Sequence, residues 1–129
     1  MNLQDKNVPP LLCVEHLKKN FGTHIVLRDV NMKIQKGEVV SIIGASGSGK
    51  STFLRCINHL ERPTDGIISF NGENIKSVHF DMTRYRAKVG MVFKLFNLFN
   101  NMSVLKNCVE GPVHVLHIPK EKATEEAMY

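Results

Sequence analysis

The stretch GASGSGKST, Gly44 to Thr52, limits what this 129-residue chain can fold into more than any other feature. It meets G-x-x-x-x-G-K-[ST] at every position, a pattern whose glycines let the backbone curl until successive N–H groups point inward. The curl works where a strand feeds it and a helix leaves it, because the helix N-terminus adds its partial positive charge to the same spot. The sequence supplies both flanks. EVVSIIG, Glu38 to Gly44, is a nearly continuous apolar run that suits a strand buried on both faces. After the loop, Phe53, Leu54, Ile57 and Leu60 recur at helical spacing and make one apolar face. Pro63 biases Arg62 away from helical geometry, so this helix is expected to end near Glu61.

A polyphosphate fits such a cradle. Gly44, Ala45, Ser46, Gly47, Ser48 and Gly49 offer backbone N–H groups, and Lys50 reaches the β- and γ-phosphates as a point charge. Ser51 is the candidate metal ligand, its hydroxyl placed on Mg²⁺, and Thr52 reaches the α-phosphate.

Around this unit the pattern is that of short strands. Residues 1–10 form a polar leader closed by Pro9 and Pro10, after which LLCVEHL, HIVLRDV and NMKI are apolar segments too short for helices. They predict a small antiparallel β unit, with a turn at Lys36-Gly37. IISFNGENI predicts a strand and a second turn at Asn71-Gly72, and KVGMVF a further short strand. MSVLKNCVEGPVHVLHI is apolar but interrupted by Gly111-Pro112, and PKEKATEEAMY predicts a helix with Pro119 in its first turn.

Composition excludes several classes. No window approaches 18 uninterrupted apolar residues, and the first residues lack the basic, apolar and small-residue order of a signal peptide, so the chain is expected neither to be secreted nor to span a membrane. Cys13, Cys56 and Cys108 are odd in number and form no C-x-x-C pair, which argues for reduced thiols rather than a disulfide framework or a zinc site. The net charge of +5 favours anionic partners. Nucleic acid is not expected among them, because the basic residues are dispersed and no aromatic residues interleave with them.

The longer segment NFGTHIVLRDVNMKIQKGEVVSIIGASGSGKSTFLRCINHLERPTDGIISFNGENI closely resembles the ATP-binding subunits of ABC transporters. With VGMVFKLFNLFNNMSVLKNCVEGPVHVL it is most similar to the subunits of polar amino acid importers, and the resemblance runs from Leu11 over nearly the whole chain. It implies an α/β fold of the P-loop NTPase type, with residues 11–129 carrying an N-terminal antiparallel β unit, the first part of a parallel-sheet core and the start of a helical subdomain. It implies ATP and Mg²⁺ as cofactors, with Phe21 stacking on adenine and Gly44 to Thr52 as the Walker A loop. It also implies a transmembrane permease subunit and a second ATP-binding subunit in a head-to-tail dimer as partners, at the cytoplasmic face of the membrane. The intact form would energise import of polar amino acids by ATP binding and hydrolysis.

Several residues depart from that family. Lys94 stands where the family has a glutamine whose oxygen reaches Mg²⁺; a protonated lysine has no acceptor to offer. It is either an added contact to the γ-phosphate or a position released from its constraint. Asn100 and Ala45 each replace a proline. After Lys50 no acidic residue closes an apolar strand, so the Walker B aspartate and catalytic glutamate are absent from these residues, as are the signature motif and the switch histidine. No catalytic residue is therefore assigned, and these 129 residues alone are expected to be inactive as an ATPase. The alternative to an importer subunit is a non-catalytic nucleotide-binding or interaction fragment from a decayed gene. His114 and His117 stand three apart but have no third ligand, and read as ordinary surface or core histidines. Phe93, Leu95, Phe96, Leu98 and Phe99 form an apolar cluster, either core or a docking patch for the permease. Marginal stability is expected, because a strand of the parallel sheet would lack its neighbours.

Overall fold

A computed structural model of the chain describes residues 8–95 and 97–129. Most of the polar leader, and Phe96 of the apolar cluster, lie outside the described residues. The chain divides into two compact units, one running to Phe80 and the other from Asp81 to Tyr129.

The first unit is built on a sheet of β1 (Leu12–Phe21), β2 (His24–Ile34), β3 (Asp65–Phe70) and β4 (Glu73–Asn74), in the order β2-β1-β3-β4 and antiparallel throughout. The predicted antiparallel unit is therefore present, but HIVLRDV and NMKI are one strand rather than two. Leu12, Val14 and Leu17 of β1 are buried, a spacing of two and then three. The extra residue is accommodated by a bulge, where the register against β2 shifts between Val14 and Leu17 and His16 takes a φ of 51°. Opposite the bulge lies Gly66 of β3, with φ 94°. A Cβ there would meet the His16 carbonyl oxygen at 2.6 Å and the Leu17 Cα at 2.7 Å, so only glycine lets the two backbones approach. The Asn71-Gly72 turn closes the β3–β4 hairpin with φ of 50° and 82°, as the sequence predicts.

Two predicted strands are not formed. Glu38–Gly44 and Lys88–Phe93 carry no strand pairing among the described residues, although both are apolar. A strand is held by hydrogen bonds to a neighbour, and the described sheet is completed by β1 to β4 without them. No parallel pair is present among the described residues, so the part of the expected parallel-sheet core that these residues hold consists of the loop and its helix, α1 (Lys50–Ile57).

α1 buries Phe53, Cys56 and Ile57, while Leu54 and Leu60 remain close to half exposed. The apolar face is thus the i, i+3, i+4 set rather than the wider one expected. The helix also ends earlier than Glu61. His59 enters the left-handed region at φ 57°, and the Leu60 and Glu61 N–H groups both donate to the Arg55 carbonyl, closing the last turn.

The second unit holds α2 (Met82–Lys88), α3 (Val104–His114) and α4 (Lys120–Ala127). Asp81 and Ser103 cap α2 and α3 by accepting from the Arg84 and Lys106 N–H groups. α3 runs through Gly111-Pro112, where the sequence predicts an interruption. Pro112 has no N–H to donate to the Cys108 carbonyl, and the helix continues only two residues past it. In α4, Pro119 takes the cap position rather than the first turn. Tyr85, Val109 and Ala123 are the buried residues of these helices, and among the described residues no helix is long and apolar enough to cross a membrane.

Candidate nucleotide-binding site

The phosphate loop folds as a cradle around its own lysine. Gly47 and Gly49 take φ of 78° and 91°, conformations that turn the chain toward the start of α1. The Ser48 N–H closes a tight turn on the Ala45 carbonyl at 3.2 Å. The Lys50 ammonium donates to the carbonyl oxygens of Gly44 at 2.6 Å and Ala45 at 2.7 Å, and lies 3.4 Å from the Ser48 hydroxyl. A Cβ on Gly44 would stand 2.7 Å from Ser48 Oγ, so a side chain there would displace that hydroxyl. Gly49 is closely packed too, with Val26 and Leu27 side-chain atoms 3.0 Å from the position of a Cβ. That contact seats the helix start against β2.

α1 begins without a side-chain cap, and its first turn holds no acidic residue. Its partial positive end is therefore met by no carboxylate from its own sequence, and an anion is the natural complement. The residues fit a polyphosphate with its metal: a compact turn, a cation at its centre, an uncapped helix start, and the Ser51 hydroxyl exposed in the first turn. Thr52 follows in the same turn, half-buried. Ala45 and Ser46 lie on the exposed limb of the loop.

Beside the loop is a cavity of about 510 Å³, bounded by Leu27, Val30 and Met32 of β2, by Val40 and Ile42, and by Phe53. Its walls are mostly apolar, but Asn31, Ser41 and the loop residues Ser48 and Lys50 also line it.

Phe21 stands at the end of β1, paired across the turn with His24, and is 46% exposed. It is not a core aromatic. The Lys19 ammonium lies 4.5 Å from its ring centroid and is itself held by the Glu61 carboxylate and the Arg62 carbonyl, each at 2.9 Å. Sequence reasoning missed this group. The available signal was that Lys19 and Phe21, two apart on a strand, share a face.

In the second unit Lys94 is exposed on a bend. Leu95, Leu98 and Phe99 are more than half exposed, and Phe93 is 37% exposed, so the described members of the apolar cluster are not core. His114 lies 3.4 Å from the Glu110 carboxylate one helical turn before it. The three cysteines are unpaired, and burial pushes the Cys56 thiol above its ordinary range.

Residues 27–129, which include this cradle, match the family model described as ABC transporter. The chain belongs to the ABC transporter family. Among curated proteins it is 47% identical over 125 residues to the arginine/ornithine transport ATP-binding protein AotP of Pseudomonas aeruginosa, covering 88% of this chain and 49% of that one. It is 44% identical over 128 residues to the histidine/lysine/arginine/ornithine transport ATP-binding protein HisP of Salmonella typhimurium, covering 91% and 50%. The chain spans about half the length of these curated relatives. Among solved structures it matches cbiO1 of Clostridium perfringens, part of an ABC transporter complex, with a TM-score of 0.72 and 30% identity over 91% of this chain and 47% of that one. It also matches a dimeric ATP-binding cassette in a post-hydrolysis state bound to ADP and Pi, with a TM-score of 0.74 and 29% identity over 91% and 54%. These ABC neighbours bear out the fold class expected from the sequence.

Proposed function

We propose that this chain is the nucleotide-gripping part of an ATP-binding subunit from an importer of polar amino acids. The observation that carries the reading is the lysine-centred loop at the uncapped start of α1. Lys50, now spending its N–H donors on loop carbonyls, exchanges them for β- and γ-phosphate oxygens. The N–H groups from Gly44 to Thr52 line the same phosphates, and Phe21 offers a ring face to adenine. Ser51 places its hydroxyl on Mg²⁺, which when bound offsets phosphate charge. The relatives named as amino acid transport ATP-binding proteins support this substrate class. By the same likeness, the partners are a permease subunit and a second ATP-binding subunit, at the cytoplasmic face of the membrane.

A second reading, a nucleotide-binding or interaction module without catalysis, describes these residues taken by themselves, in which none of the acidic residues after Lys50 closes an apolar strand. Steady-state ATP hydrolysis, measured beside Lys50→Ala, separates the two for these residues. The expected result is binding without turnover; turnover abolished by Lys50→Ala would refute the second reading. MgATP titration tests the shared part, with Lys50→Ala expected to weaken binding by roughly tenfold or more, as loss of a charge-assisted contact requires.

A further inference from the structure

We propose that Lys19 positions the Phe21 ring and so sets where a purine base lies relative to the phosphate loop; this rests on the nucleotide reading above. The Lys19 ammonium lies 4.5 Å from the ring centroid, within cation–π range. It is not a wandering surface cation. Its side chain is only 12% exposed, and two partners fix it at 2.9 Å each, the Glu61 carboxylate and the Arg62 carbonyl. An ammonium anchored in this way restrains the ring it touches. The 46% exposure of Phe21 leaves ring surface open for a base, and the cation draws π density from the ring, which suits stacking by an electron-rich purine.

The same contacts tie the ring to the loop. Glu61 and Arg62 lie just beyond α1, and the Leu60 and Glu61 N–H groups donate to Arg55 within it. The strand end is joined to this turn twice more, by the Asn20 N–H to the Thr64 hydroxyl at 2.9 Å and by the Thr64 N–H to the Lys18 carbonyl at 2.8 Å. A bonded path thus runs from Phe21 through Lys19 and the 61–64 turn to α1, whose first residue is Lys50. Base platform and phosphate cradle are held in one frame.

The test is calorimetric titration of the full chain with MgATP and, separately, with magnesium tripolyphosphate, which has phosphates but no base. Wild type, Phe21→Ala, Lys19→Met and Lys19→Arg are compared, with melting recorded for each. Phe21→Ala is expected to abolish the preference for ATP over tripolyphosphate. Lys19→Met, which keeps the apolar stem, is expected to weaken ATP binding about fivefold and leave tripolyphosphate unchanged. Lys19→Arg is expected to retain the wild-type preference.

Equal weakening of both ligands by Lys19→Met would overturn the proposal, since a merely structural lysine acts on the whole site. So would no effect of Lys19→Met where Phe21→Ala removes the preference, and the nucleotide reading would then stand. A wild-type chain without preference for ATP would overturn base stacking itself, and the role of Lys19 with it. Should Lys19→Met unfold the chain, Glu61→Gln, which loosens the ammonium but keeps it, is read by the same criteria.

Discussion

Strand β2 and the segment Glu38–Gly44 lie a few residues apart in one unit, and both are rich in valine and isoleucine. β2 is paired with β1 along most of its length and buries Leu27 to 5% exposure. Glu38–Gly44 has no strand partner among the described residues, and its Val39 and Ile43 are 92% and 95% exposed. The difference is a partner, not composition. Apolar side chains favour a pleated, half-buried surface, but the backbone N–H and C=O groups of a strand are satisfied only by a neighbour. β1 has β2 on one edge and β3 on the other, and the segment that feeds the phosphate loop has neither.

If pairing rather than apolarity holds this unit, damage should scale with how many strands a substitution touches. The largest effect is expected at Gly66, where valine would press on the His16, Leu17 and Glu15 backbone at 2.6 to 2.8 Å and also meet a φ of 94°. Gly66→Val should destabilise by about 4 kcal/mol, enough to abolish a cooperative melt. Leu17→Ala removes a fully buried side chain from the central strand and should cost about 3 kcal/mol in denaturant unfolding.

Titration should separate the units. Hydrogen bonds from His16 and then Asn31 hold Asp29 below the usual carboxylate range, and the Gly66 N–H and then Lys18 do the same for Asp65. Their folded values lie below 3.8, so the stability they add is present above that pH and lost as pH falls through the folded values. Burial pushes Tyr85 from 10 up to about 12, so its contribution is complete below pH 10 and lost as pH climbs through about 12. Melting against pH should therefore show an acid limb flattened by His16→Ala and an alkaline limb flattened by Tyr85→Phe. The smallest effect is expected in the unpaired segment. Ile43→Ser, at a site 95% exposed, should change stability by no more than about 0.5 kcal/mol; a loss like that of Leu17→Ala would show that this segment is held after all.

The parts legible in the sequence were those set by local chemistry. The glycines at 47 and 49, the Asn71-Gly72 turn and the helix after Lys50 each follow from a few adjacent residues, and the structure contains all of them. Asp81 and Ser103 are equally local cap signals. What failed depends on distant partners. EVVSIIG and KVGMVF have strand composition, yet pairing is decided by other segments. The β1 bulge was half legible, since the spacing Leu12, Val14, Leu17 breaks strict alternation, but the need for Gly66 opposite it was not. The Lys19, Glu61 and Phe21 group joins a strand end to the turn after a helix; strand alternation puts Lys19 and Phe21 on one face, but nothing local brings Glu61 to them.

In the proposed function Gly44–Thr52 grips the phosphates of a nucleotide. Amide hydrogen exchange of the full chain, with and without MgATP, tests it most directly. The account predicts slowed exchange at Gly47 to Thr52 on addition of MgATP, with no such change in Lys50→Ala. Unchanged exchange in the wild-type loop at saturating MgATP, or equal protection in Lys50→Ala, would contradict it.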